Sequence, residues 1–395
     1  MERKMVTCTA PVNIALIKYW GKLDEDLIIP LNSSLSITLH QESLRTTTTV
    51  AWYEHDSSIR MWLNGEELDV DSNLRIRYVL DELRSKGKPE FRNLGLRIAS
   101  VNNFPTAAGL ASSAAGLACL VYSLAELIQY KETFPGELSS IARRGSGSAC
   151  RSLDSGFVKW NKGSLEDGSD SVAEQIVDDM YWPEIRVLVC VVSDQKKTTS
   201  STKGMRNSVE TSELLKHRAL SIVDGHITTM EEAIKRMDFS TVARLTMKES
   251  NQFHAVCLDT EPPIFYLNET SKAIISVVEE FNAYSNQIRA AYTFDAGPNA
   301  VLLCQQEDIN DLSNLMHRCF PPKLSAAEVD SSSPSIIGRD EPYKPLTAAG
   351  EQILGKVGVR EDSVQYFIKT RAGPGPLRMS DTSHLLDGES LEPKT

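Results

Sequence analysis

Residues 102–116 read NNFPTAAGLASSAAG and run on into LACLVYSLAELI, whose apolar repeat is that of a buried helix. A small-residue loop feeding a helix N-terminus aims several backbone N–H groups and the positive end of the helix dipole at one point, which suits a phosphate. Alanine lets a ligand approach the backbone closely. Ser112 and Ser113 offer hydroxyls to phosphate oxygens or to a cation riding on them. The same composition also serves a tightly packed Ala/Gly helix start with no ligand. It is not a Walker loop, because GxxxxGK[ST] occurs nowhere in the chain.

At 395 residues, 41% hydrophobic and 24% charged, the chain is long enough for two lobes with cores of their own and a cleft between them. A formal charge of −11 argues against nucleic-acid and anionic-membrane partners, which need a basic face. No window approaches the roughly 18 consecutive apolar residues of a membrane helix. The seven cysteines are scattered and form no CxxC pair, a usage expected of reduced thiols. Asn13 and Lys18 interrupt the N-terminal apolar run before it resembles an export signal. The expectation is a cytoplasmic protein.

Residues 6–17 read as one strand ending in the turn KYWGK, and 34–40 and 46–53 as further strands. Asn64-Gly65 predicts a hairpin within 60–68. A helix over 73–84 and a strand over 96–101 lead to the small-residue loop. A helix near 137–143 enters a second such loop, RRGSGSACRSL, and strands follow at 156–160 and 185–193. The lobe boundary is placed near residues 184–195, dividing the chain into 1–190 and 191–395. Four helices are expected over 204–223, 226–237, 239–256 and 268–284, then strand, loop, strand over 289–304. A last strand is placed at 364–370, with frayed residues beyond about 377.

PTAAGLASSAAG resembles the phosphate loop of the GHMP kinase superfamily, although its kinases usually carry Gly where this chain has Ala111. Together with APVNIALIKYWGK, RRGSGSACRSL, KESNQFHAVCLD and TFDAGPNA, it is similar to the mevalonate diphosphate decarboxylase family, over about residues 6–304. The resemblance implies an α+β, two-lobed GHMP kinase-like fold: an N-terminal mixed sheet with helices, a C-terminal antiparallel sheet with helices, and the active site in the cleft between. It implies an ATP-dependent decarboxylation of a small-molecule substrate, (R)-5-diphosphomevalonate, with Mg2+, and a homodimer. The metal ligands stay unassigned.

Such a reaction must turn the C3 hydroxyl into a leaving group, since a 3-hydroxy acid has no carbonyl to accept the electrons that departing carbon dioxide leaves behind. On the resemblance, Asp295 is the base at that hydroxyl, although an aspartate in a turn commonly bonds only its own backbone. Arg151 is expected on the substrate carboxylate, Lys18 beside the transferring phosphoryl group and Ser113 in contact with it. The implied substrate contacts are Asn13, Tyr19, Trp20, Gly21, Lys22, Arg75, Ser146, Gly147, Ser148, Ala149, Cys150 and Thr211, with Arg77 an open alternative to Arg75. The implied ATP loop comprises Pro105, Ala107, Ala108, Gly109, Leu110, Ala111, Ser112, Ser113 and Ala114. His254 reads as a packed or capping residue. A kinase of the same superfamily and a non-catalytic nucleotide-sensing relative are the alternative readings. The first would release ADP without carbon dioxide, and the second would usually lack the acid or the cation set.

Overall fold

A computed structural model describes residues 4–55, 57–89, 92, 94–104, 112–193, 197–330 and 335–394. β1 (Met5–Pro11) and β2 (Asn13–Ile17) precede the ribbon β3 (Lys22–Asp24) and β4 (Ile29–Pro30), then β5 (Ser34–Thr38), β6 (Arg45–Tyr53), β7 (Ile59–Leu63) and β8 (Glu66–Leu68). α1 (Leu74–Lys86), β9 (Gly95–Asn102), α2 (Ser112–Ile128) and α3 (Glu137–Gly145) follow. After a 3₁₀ segment, Gly147–Leu153, come β10 (Phe157–Trp160), β11 (Ala173–Val177) and β12 (Ile185–Val191). The helices α4 (Ser201–Thr211), α5 (Glu213–Ser221), α6 (Val223–Lys235), α7 (Phe239–Asp259) and α8 (Glu269–Ser285) lead to β13 (Ala290–Phe294) and β14 (Ala300–Gln305). The chain closes with α9 (Ile309–Cys319), α10 (Ala326–Asp330), β15 (Ile336–Ile337), α11 (Ala348–Val357), β16 (Tyr366–Arg371) and β17 (Leu377–Arg378).

The expected strand over 6–17 is two strands in two sheets. β1 pairs with β6 and β17, whereas β2 pairs with β5. Pro11 cannot donate to a ladder, so the pairing that β1 makes stops there. The chain then crosses to the second sheet, where the Val12 carbonyl accepts from the Leu39 N–H at 2.8 Å. The hairpin forms as expected, with Asn64 at φ 51° and Gly65 at φ 85°, the pair of positive φ values that a tight β-turn of this hand requires. α1 begins after Asn73, whose side chain accepts from the Ile76 N–H as an N-cap.

The six-stranded sheet runs β17-β1-β6-β9-β7-β8 and is mixed, because β7 lies parallel to β9. α1, α2 and α3 bury Val79, Leu83, Leu120, Leu124 and Ile141 against it. A four-stranded antiparallel sheet runs β11-β10-β5-β2, and a five-stranded antiparallel sheet runs β13-β14-β12-β16-β15. One apolar core joins the last two, with Ile14 and Ile37 from one sheet, Val187 and Leu303 from the other, and Ile227 and Val242 from the helices between. The fold is α+β with a mixed sheet first and an antiparallel sheet last. Among the described residues no helix is long and apolar enough to cross a membrane.

Three expectations are corrected. The second small-residue loop is a 3₁₀ helix, so Arg151 is fixed by regular backbone. The helix expected over 204–223 is broken at Ser212, whose extended backbone caps α5 through its hydroxyl and the Leu215 N–H. The residues beyond 377 are not frayed: β17 pairs with β1, and Leu386 is fully buried against Ala51, Trp62 and Ala99 on the outer face of the six-stranded sheet. The lone apolar residues of that tail carry too little periodicity to announce a docking site.

Candidate active site

A cleft of about 550 Å³ lies where β2, the 3₁₀ segment, the start of α2, α4 and the β13–β14 loop converge. Of the residues expected to form a site, Asn13, Lys18, Tyr19, Trp20, Lys22, Arg75, Ser112, Ser113, Ser146, Gly147, Ser148, Arg151 and Asp295 line it. Pro105, Ala107, Ala108, Gly109, Leu110 and Ala111 lie outside the described residues. Ala114, Ala149 and Cys150 are buried behind the lining. Gly21 turns the chain at φ 89° with Val209 and Leu215 behind it. Thr211 sits away from the cleft, where its hydroxyl donates to the Asn207 carbonyl and accepts from the Glu261 N–H.

β2 carries the acid's partner. Lys18, just past its end, is 2% exposed, and its Nζ donates to Asp295 Oδ1 at 2.6 Å. Burial holds the Lys18 ammonium below the usual lysine range, against the opposing pull of Asp295. At the start of the same strand, Asn13 Nδ2 donates to the Ser148 carbonyl at 3.0 Å and to Ser152 Oγ at 2.7 Å, tying β2 to the 3₁₀ segment. Asn13 Oδ1 is buried without a partner among the described residues, an acceptor open toward the cleft that Asn13 lines.

Arg151 has no carboxylate in hydrogen-bond reach among the described residues. Its Nε donates to Ser36 Oγ at 3.0 Å and its Nη1 to Ser34 Oγ at 2.7 Å, both on β5, and the residue is 2% exposed. Two neutral hydroxyls orient the guanidinium without neutralising it. Burial lowers its pKa, but a guanidinium starts so high that it stays charged.

The mouth of the cleft is cationic. Lys22 Nζ meets Glu25 Oε2 at 3.1 Å, and burial holds this lysine also below its usual range. Arg75 Nη2 reaches Thr202 Oγ1 at 3.5 Å, while Arg77 is engaged outside by Asp71 at 2.8 Å and Asp81 at 2.9 Å. The geometry thus separates the two arginines that spacing left open. Trp20 anchors the turn between Lys18 and Lys22: its Nε1 donates to Ser208 Oγ at 2.8 Å and its ring packs edge-on to Phe253 at 4.7 Å.

Sequence reasoning missed Lys197, Ser200, Ser201 and Thr202, which line the facing wall. Lys197 Nζ donates to Ser201 Oγ at 2.9 Å and to the Ala296 carbonyl at 3.2 Å. The run KKTTSSTK, basic and hydroxyl-rich before a helix, was the available signal. His254 is buried beside Phe294, as a packed residue should be, and burial pushes it down to about 3, so it is neutral at ordinary pH. Among the described residues that line the cleft, Lys18, Lys22, Arg75, Arg151 and Lys197 accompany one acid, Asp295, an arrangement that matches a polyanionic ligand bearing several separated negative groups.

The family described as "Diphosphomevalonate decarboxylase-like N-terminal domain" matches residues 10–173, and "Mevalonate 5-diphosphate decarboxylase C-terminal domain" matches 187–379. The diphosphomevalonate decarboxylase of Danio rerio is 49% identical over 406 residues, covering 100% of this chain and 98% of its own. The solved mevalonate diphosphate decarboxylase from Trypanosoma brucei superposes with a TM-score of 0.86 at 37% identity, covering 97% of this chain and 100% of its own. A structure described as MDDEF in complex with MVAPP, AMPPCP and magnesium superposes with a TM-score of 0.73 at 30% identity, covering 95% of this chain and 99% of its own. With both halves matched and relatives similar from end to end, this chain belongs to the diphosphomevalonate decarboxylase family.

Proposed function

We propose that this chain catalyses the ATP-dependent decarboxylation of (R)-5-diphosphomevalonate to isopentenyl diphosphate, with ADP, phosphate and carbon dioxide as the other products. This is a step of the mevalonate pathway toward isoprenoids and sterols. The protein works in the cytoplasm as a homodimer, the setting that the family resemblance implies and that seven buried cysteines outside any disulfide suit. Arg151 carries the reading. Among the described residues this buried guanidinium is hydrogen-bonded by two hydroxyls and by no carboxylate, which leaves its charge for a substrate carboxylate.

ATP lies with its phosphates at the start of α2, where Ser112 and Ser113 receive them, and the family resemblance assigns Pro105, Ala107, Ala108, Gly109, Leu110 and Ala111 to the same task. Lys22 and Arg75 hold the substrate diphosphate beside Tyr19 and Trp20. Arg151 holds the carboxylate, with Ser146, Ser148 and Asn13 around it. Asp295 takes the C3 hydroxyl proton as that oxygen bonds to the γ-phosphorus and the bond from phosphorus to the ADP oxygen breaks. Lys18, 2.6 Å from the acid, orients it for this task and offsets charge on the transferring phosphoryl group. Phosphate then leaves C3 with its bonding pair, the electrons of the C1–C2 bond form the C2=C3 double bond, and C1 departs as carbon dioxide.

Magnesium suits the donor set. Among the described residues no three His, Cys, Asp or Glu side chains cluster as a metal cage, and Mg2+ commonly takes one or two carboxylates plus substrate phosphates. The hydroxyls of Ser112 and Ser113, which line the cleft, would hold it beside the nucleotide, where it would supply neutralising charge to phosphate oxygens.

The purified protein, given ATP, magnesium and either the 5-phosphate or the 5-diphosphate of mevalonate, releases ADP, phosphate and carbon dioxide in equal amounts, and only from the diphosphate. ADP without carbon dioxide would place it among the kinases.

A further inference from the structure

The backbone of Lys18 lies beyond the last β2–β5 pairing, Ile17 with Leu35, so no neighbouring strand fixes it. Side chains do so instead. Glu249 on α7 is fully buried and accepts the Lys18 N–H at 2.9 Å. The same carboxylate accepts from Arg218 Nη2 on α5 and from His226 Nδ1 on α6, the latter at 2.7 Å. Arg218 Nη2 also donates to the Lys18 carbonyl at 3.3 Å, and Asn32 Nδ2 donates to it at 3.1 Å. Both polar groups of Lys18's main chain are thus held by side chains, most of them from the helical segment that follows β12.

The next residue on α7 holds the opposite chain. Ser250, 1% exposed, accepts the N–H of Phe294 through its Oγ at 3.1 Å, and Phe294 immediately precedes Asp295. Two consecutive residues of one helix therefore grip the two segments whose side chains meet at 2.6 Å. Buried ion pairs such as Arg218–Glu249 contribute little net stability, because desolvation offsets the attraction. Their clear benefit here is geometric. Burial raises the Glu249 pKa, but the hydrogen bond from His226 and the charge of Arg218 outweigh it and keep the carboxylate ionised.

We propose that Glu249 and Ser250 are positioning residues that set the distance and angle of the Lys18–Asp295 pair, with Arg218 and His226 locking Glu249 in place. The proposal rests on the reading of Lys18 and Asp295 as the reacting pair. It goes further by assigning their alignment to a single turn of α7, buried away from any substrate.

Steady-state kinetics and thermal melting on Glu249→Gln, Lys18→Met and the double variant test it. The glutamine keeps an acceptor for the Lys18 N–H but removes the charge that holds Arg218 and His226. Misplacing a reacting group by about an ångström costs up to roughly 10²-fold, so Glu249→Gln should lower kcat by about tenfold or more. KM for diphosphomevalonate should change less than about threefold, since uniform binding is untouched. The kcat loss should vanish in the Lys18→Met background, because a positioning residue has nothing left to position. A Glu249→Gln enzyme that melts lower but turns over normally overturns the proposal, and so does a kcat loss that multiplies with that of Lys18→Met. Should Glu249→Gln fail to fold, Ser250→Ala decides: a fall in kcat at constant KM supports the proposal and unchanged kcat refutes it. A Lys18→Met enzyme with normal turnover would instead refute the assignment of Lys18 beneath it.

Discussion

Lys18 and Asp295 stand 277 residues apart in the chain and meet at 2.6 Å. On the proposed function, Asp295 acts only while the hydroxyl proton moves. Asp295→Asn should therefore reduce kcat by roughly 10²–10⁴-fold with substrate binding largely kept, as for other positioned bases. On the same proposal, Lys22 meets the diphosphate in ground and transition states alike. Lys22→Ala should raise KM by the equivalent of about 1.5–3 kcal/mol of charged hydrogen bonding, with a smaller change in kcat. Kinetics on both variants check this, and normal turnover in Asp295→Asn would return that aspartate to the status of a turn residue. Ser113, exposed at the first turn of α2, should on mutation to Ala cut turnover while diphosphomevalonate still binds, measured by calorimetry without nucleotide. Much at this scale was legible. The loop serines stood out by residue type at a helix start, whereas the motif around Asp295 was legible only through the family resemblance, since an aspartate in such a turn otherwise reads as bonding its own backbone. Glu249 did not, because a glutamate on an amphipathic helix reads as solvent-facing until tertiary packing turns it inward.

Helices and strands were legible where period and cap agreed, as in α1 with its Asn73 cap, and misread where one residue overruled the pattern. Pro11 divides an apolar run between two sheets, and Ser212 divides an apparent single helix. α9 and α11 escaped notice because the match to familiar motifs thinned toward the C-terminal end, although both bury clear apolar faces. α3 supplies a test at this scale. Glu137 opens it, buried, and accepts from the Thr133 N–H at 2.7 Å and from Lys86 Nζ at 2.9 Å. Burial works to raise its pKa, but the hydrogen bonds from Thr133 and Lys86 prevail and bring it from 4.5 down to about 2. A carboxylate depressed in the folded state stabilises fully above its unfolded value and loses that contribution as pH falls through the folded one. Glu137→Gln should thus unfold at lower urea than the parent at neutral pH, and the two midpoints should converge as pH falls from about 4.5 toward 2. Parallel curves across that range would show that the charge is not what stabilises the helix start.

On the scale of the whole molecule, the α+β plan with a mixed sheet first and an antiparallel sheet last was legible through the family resemblance, but the return of the tail was not. Beyond β17, the Leu385 N–H donates to Thr49 Oγ1 at 2.8 Å, Thr7 Oγ1 bonds His384 Nδ1 at 2.7 Å, and Arg60 bridges Glu392 at 2.5 Å. Removing residues 377–395 uncovers Trp62 and the edge of β1 and withdraws Leu386, a burial worth about 2 kcal/mol by itself. Thermal melting should fall by several degrees. kcat/KM measured below the new transition should stay near the parent value, since no residue of the tail lines the cleft. A truncated enzyme that melts normally would mean the tail merely rests on the sheet. The pairing of β1 with β17 also fixes an order of events during synthesis. The ribosome makes β1 before every residue that separates it from β17, so one flank of the six-stranded sheet stays an open template while the chain between them is elongated. An emerging polypeptide of this kind must be shielded until β17 arrives, and its yield in the cell should depend on holding chaperones more than the stability of the folded enzyme would suggest.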